Sequence, residues 1–131
     1  MAGPAIPVTM ALTAFCGLLL VALASRISML RMRHKVAFGD GGNTALMRAI
    51  RVHANTTEHA PIFVLLALAY ELARGPTTFL VVMAATFALA RLGFAIAILG
   101  RGLHQLRMLT AMLTYVTQAV LAGALAVAAL G

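Results

Sequence analysis

Charge is scarce in this chain, and acid is scarcer still: 131 residues hold three Asp or Glu against ten Lys or Arg. Charged residues make up 10% of the sequence and hydrophobic ones 63%. That balance excludes an ordinary soluble domain, which would cover its apolar residues with far more charge. Cysteine is nearly absent. Cys16 stands alone within an apolar run, so no disulfide framework or zinc pattern can be built from it, and a small packing residue is the expected role. Paired carboxylates, a Ser–His–Asp set and a glycine-rich phosphate loop are also missing. The histidines, His34, His53, His59 and His104, lack ligand spacing such as H-E-x-x-H, so no metal site is expected. No internal repeat or low-complexity tract divides residues 1–131, which read as one domain.

What the chain does contain is long apolar sequence. The runs 2–25 and 108–131 carry no charge, and each is long enough to cross a bilayer core as a helix, which takes roughly 20 residues. Ala22-Leu23-Ala24 imitates a signal-peptide cleavage site, but no positive residue precedes the first run and its apolar part exceeds a secretory core. It reads as a retained membrane helix. Four helices fit, over about residues 6–30, 44–73, 77–100 and 106–130. They are punctuated by Gly39-Asp40-Gly41-Gly42-Asn43, Gly75-Pro76 and Gly100-Arg101-Gly102. The predicted fold class is an all-α integral membrane bundle of four transmembrane helices.

Basic residues set an orientation. Arg26, Arg31, Arg33, Lys35, Arg48 and Arg51 flank the first connection, and Arg101 and Arg107 the third. The opposite side has only Arg74, three residues after Glu71. The positive-inside rule then places the first and third connections in the cytoplasm and both termini outside. This use of the +7 net charge accounts for the basic residues without a nucleic-acid partner.

The second helix opens on RVHANTTEHAP, residues 51–61, an expensive place for ionisable groups unless they form a site. At ~100° per residue, Arg51, Asn55, Glu58 and His59 share one face while His53 points elsewhere. An interfacial anchor, with Arg51 snorkelling and paired to Glu58, is the plainer alternative. Arg91 interrupts the third helix, where an ion pair with Glu58 would satisfy both charges. Arg107 opens the fourth helix, and Thr110, Thr114 and Gln118 continue its face as candidates for hydrogen bonds between helices. Arginines converging on a pocket with one carboxylate and one amide suit an anionic ligand that also carries a cation.

Arg51-x-x-x-Asn55-x-x-Glu58-x-x-Pro61 resembles the helix-two signature of the membrane-associated proteins in eicosanoid and glutathione metabolism, the MAPEG family. The resemblance extends to ARLGF around Arg91 and to LGRGLHQLR ending at Arg107, and the basic first connection looks most like the family's small bacterial branch. It implies a homotrimer in the bacterial inner membrane, both termini periplasmic. Glutathione, as co-substrate, would lie in a cytoplasm-facing cleft between subunits. Arg51, Asn55, Glu58 and His59 would belong to that cleft, together with Arg91 and with Arg31 or Arg33 from a neighbour. Arg107 matches the arginine that stabilises the glutathione thiolate, and an adjacent cation does favour a thiolate. Ala54, Phe94 and Ile98 depart from groups that some relatives direct at glutathione. The implied activity is a glutathione-dependent transferase or peroxidase acting on a hydrophobic electrophile that enters from the lipid. A non-catalytic glutathione- or lipid-binding relative is the alternative. A small multidrug exporter is the third reading, disfavoured because such exporters use a glutamate in the first helix and residues 2–25 hold no charge.

Overall fold

The computed structural model describes residues 5–100 and 103–131. Arg101 and Gly102, part of the charge pattern and of the third break, lie outside the described residues. Four helices follow one another: α1 (Pro7–His34), α2 (Thr44–Arg74), α3 (Thr78–Leu99) and α4 (His104–Leu130). α1, α3 and α4 are long and apolar enough to cross a membrane. α2 is equally long, but its first half carries the polar run.

α1 continues four residues past its expected end, through Arg31-Met32-Arg33-His34. These side chains are compatible with a helix, and cations there are favoured by the negative end of the helix dipole. The helix stops where Lys35 turns left-handed, φ 54°, and its N–H reaches back to the Arg31 and Met32 carbonyls. α2 starts on an Asn43 cap that accepts from the Leu46 N–H at 2.9 Å. Thr77 caps α3 in the same way. Pro61 leaves α2 unbroken.

The N-terminus of α1 is capped from another helix. Ile6 offers no side-chain cap and the first turn holds no acid. The Glu71 carboxylate, 2% exposed at the far end of α2, accepts from the Val8 N–H at 3.0 Å and the Thr9 N–H at 2.7 Å. An anion bonded to unpaired N–H groups at a helix N-terminus suits both partners. This joins α1 to α2 at the end remote from the basic connection.

Successive helices alternate in direction. α2 and α3 lie inside the arrangement: each touches α1 and α4, whereas α1 and α4 do not touch among the described residues. The main core joins Leu12 and Cys16 of α1, Phe63 and Ala67 of α2, Phe87 of α3 and Leu121 of α4. Phe63 and Phe87 stack with ring centroids 3.9 Å apart. α3 and α4 meet closely at Gly93, where a Cβ would stand 2.7 Å from Thr110 Cγ2. Leu18, Leu89, Met112 and Val127 point outward and exposed. Such residues suit lipid or a neighbouring membrane helix and would be a liability in water.

Candidate functional site

A cavity of about 550 Å³ opens at the end of the bundle where α2 and α4 begin and α3 finishes. α2 lends Arg48, Arg51 and Asn55; α3 lends Phe94 and Ile98; α4 lends His104, Arg107 and Tyr115. Helical spacing explains the convergence. Arg48, Arg51 and Asn55 follow one another at i+3 and i+4, as do His104, Arg107 and Ala111, so each helix turns one continuous edge towards the gap.

Arg91 sits directly behind this wall. It is 1% exposed, and its Nη1 donates to Asn55 Oδ1 at 2.8 Å. Its guanidinium carbon stands 4.8 Å from the centre of the Phe94 ring, within the range of a cation–π contact. Nε and Nη2 have no partner among the described residues. The pairing settles the Asn55 amide: a guanidinium only donates, so the oxygen must face Arg91. The amide nitrogen is left for the cavity side.

The expected ion pair between Arg91 and Glu58 does not form; Asn55 takes the arginine instead. Glu58 is exposed and points about 160° from the direction that buries Val52, Thr56, Ala60 and Phe63. It cannot reach α3 from there. Arg51 and Asn55 line the cavity, but Glu58 and His59, on the edges of the same stripe, do not. His59 turns towards α4, where its Nδ1 lies 3.1 Å from Gln118 Oε1. Its ring also packs at a tilt against Tyr115, centroids 5.3 Å apart.

Arg107 is exposed at the mouth, and its Nη2 donates to His104 Nδ1 at 3.1 Å. That bond requires the His104 proton on Nε2. Thr110 and Thr114 continue the face inward, but not as bonds between helices. Their hydroxyls donate within α4, to the carbonyls of Leu106 and Thr110, and Gln118 alone of that stripe reaches another helix. The reason is local: a threonine facing an apolar partner returns its hydroxyl to the carbonyl four residues back.

α1 contributes nothing to this cavity. Arg31 donates to the Ala37 carbonyl at 3.2 Å and holds the connection against the end of α1, while Arg33 is exposed. Within one chain the structure gathers Arg51, Asn55 and Arg107, sets Arg91 behind them, and leaves Arg31, Arg33 and Glu58 outside. Arg48, His104 and Tyr115 were not singled out from the sequence. Arg48 and His104 could have been found, since each stands three residues before an arginine that was. Tyr115 carried no comparable signal.

The cavity thus offers three guanidiniums, an amide and an imidazole against an apolar wall, which suits an anion with carboxylates spread along its length. A family model described as the MAPEG family matches residues 9–127. The inner membrane protein YecN of Escherichia coli K12 is 42% identical over 64 residues, which cover 49% of this chain and 48% of that protein. YecN from an O6:H1 strain of Escherichia coli matches to the same extent. The chain therefore spans about half the length of the curated relatives it matches.

Proposed function

The chain belongs to the MAPEG family, and from that premise we propose that it is a glutathione-dependent transferase or peroxidase of the bacterial inner membrane. The observation that carries this reading is the convergence of Arg51, Asn55 and Arg107 on one cavity that is open at the basic end of the bundle. The relatives' description as inner membrane proteins supports the location. The concentration of arginines at this end supports a cytoplasmic mouth and periplasmic termini.

In this proposal Arg48 and Arg51 hold the carboxylates of glutathione, and the Asn55 amide donates to its peptide. Arg107, at the mouth, sits beside the sulfur. A guanidinium there stabilises the thiolate relative to the thiol. In transfer, the thiolate attacks an electrophilic carbon, the S–C bond forms, and the leaving group departs with its bonding electrons. In the peroxidase variant a hydroperoxide accepts two electrons from two glutathione molecules, giving the alcohol, water and glutathione disulfide. The second substrate enters from the lipid past Met108, which lines the cavity and is half exposed.

The cleft is completed by a neighbour. Glu58, Arg31 and Arg33 lie outside this chain's own cavity, and the proposed homotrimer brings such outward groups to a neighbouring subunit's cleft. Glu58 would then hold the ammonium of glutathione. The apolar wall of Phe94 and Ile98 favours a second reading, a relative that binds glutathione or a lipid without catalysis. The test is ultraviolet detection of thiolate as glutathione is titrated into the detergent-solubilised protein. Thiolate absorbance near neutral pH supports the enzyme; saturable binding without thiolate supports the second reading; no binding removes both.

A further inference from the structure

A second cavity, of about 290 Å³, lies at the same end of the bundle and is lined by Arg26 of α1, Thr44, Ala45 and Arg48 of α2, and Leu99 of α3. None of the chain's three carboxylates lines it. Two guanidiniums from different helices facing one small space repel each other, and an anion between them relieves that cost. The first turn of α2 adds the Thr44 hydroxyl and the positive end of a 31-residue helix, a second attraction for an oxyanion. Arg48 also donates to the Gly100 carbonyl at 3.4 Å, which holds it in the wall between this cavity and the larger one.

The surroundings indicate the form of the anion. On α1, Ala22 and Leu18 follow Arg26 at i−4 and i−8, towards the middle of the bundle, and both are exposed. They form an apolar track leading away from the two arginines at helical spacing. A group that places a phosphate between Arg26 and Arg48 can therefore lay a hydrocarbon chain along α1. We propose that this notch is a phosphate site, occupied in the membrane by the headgroup of an anionic phospholipid. It shares Arg48 with the larger cavity but adds Arg26 and the apolar track of α1, which that cavity does not use.

Because Arg48 lines both cavities, Arg26 carries the test. The full chain in detergent is mixed with equal amounts of phosphatidylglycerol and phosphatidylethanolamine, and bound lipid is read by native mass spectrometry. The expected result is a preference for phosphatidylglycerol that falls about fivefold in Arg26→Gln, the order of one cationic contact at a membrane surface. Arg26→Lys should retain most of it, and Lys35→Gln, which removes an exposed charge outside the notch, should retain all of it. Equal preference in wild type and Arg26→Gln overturns the proposal, as does an equal fall in Lys35→Gln. A second arm titrates inorganic phosphate and follows the melting temperature. Stabilisation by phosphate that exceeds that by phosphatidylglycerol and disappears in Arg26→Gln keeps the phosphate site and overturns the lipid as its occupant.

Discussion

At the scale of single residues, the cavity separates groups that touch a ligand from groups that hold them in place. Arg107 belongs to the first kind. Arg107→Ala is expected to raise the pKa of bound glutathione by about 1–2 pH units, as removal of a nearby cation does, with a smaller effect on affinity. Lysine should restore part of the effect, since it supplies charge without the planar fork. A pH titration of thiolate absorbance in proteins saturated with glutathione checks this; superimposed curves would exclude Arg107 as the stabiliser. Arg91 belongs to the second kind. It borders the cavity through Asn55 and the Phe94 ring, and two of its donor atoms are buried without partners among the described residues. Arg91→Met removes an ill-satisfied buried charge, a change that often leaves stability intact or improves it. It also frees the Asn55 amide to turn. We expect an unchanged or higher melting temperature together with about tenfold weaker glutathione binding. A large loss of stability would mean that Arg91 is mainly a structural element.

At the scale of helices, two contacts invisible in the sequence hold the bundle together. Glu71 caps α1 from the end of α2. Glu71→Gln keeps the shape but loses the charge and one of the two acceptors, so melting should fall by about 5 °C. Glutathione binding should be untouched, because the cap and the cavity lie at opposite ends. A thermal scan with and without glutathione reads both outcomes. Gly93 sets the distance between α3 and α4. Gly93→Ala drives a methyl into Thr110, whose own hydroxyl is committed to the Leu106 carbonyl. Overpacking of this kind costs about 1–3 kcal/mol, and chemical denaturation should show that loss. If Gly93→Ala is neutral, the two helices slide apart more easily than their packing implies. The helices themselves were legible in advance because apolar length and Gly/Pro punctuation are local properties. The extra turn of α1 was not, since Arg31 and Arg33 read equally as connection or helix.

At the scale of the whole molecule, a thin bundle leaves polar groups facing outward from a membrane-embedded surface. Glu58 has no ion-pair partner among the described residues, and a carboxylate turned towards hydrocarbon would be costly. The proposed homotrimer offers it a protein environment. Native mass spectrometry in mild detergent should therefore give a trimer, and Glu58→Gln should weaken glutathione binding and lower the melting temperature. Monomers and dimers alone would remove the cleft between subunits. Normal binding by Glu58→Gln within an intact trimer would reduce Glu58 to an anchor.

The sequence by itself determined that this is a four-helix membrane protein with a polar motif at the start of its second helix. Both follow from composition and from residue spacing along one chain, and neither depends on what packs against what. Membership of the family was also readable there, from Arg51, Asn55, Glu58 and Pro61. Only the tertiary structure decided which of those residues meet. Arg51 and Asn55 join Arg107 because α2 and α4 begin at the same end, whereas Glu58, on the edge of the same stripe and further along α2, does not line the cavity. An ion pair of Arg91 with Glu58 was one reading of the sequence, and Arg91 pairs with the Asn55 amide instead. The reason is that direction governs such contacts: a helix fixes where a side chain points, and only the neighbouring helix fixes what it finds.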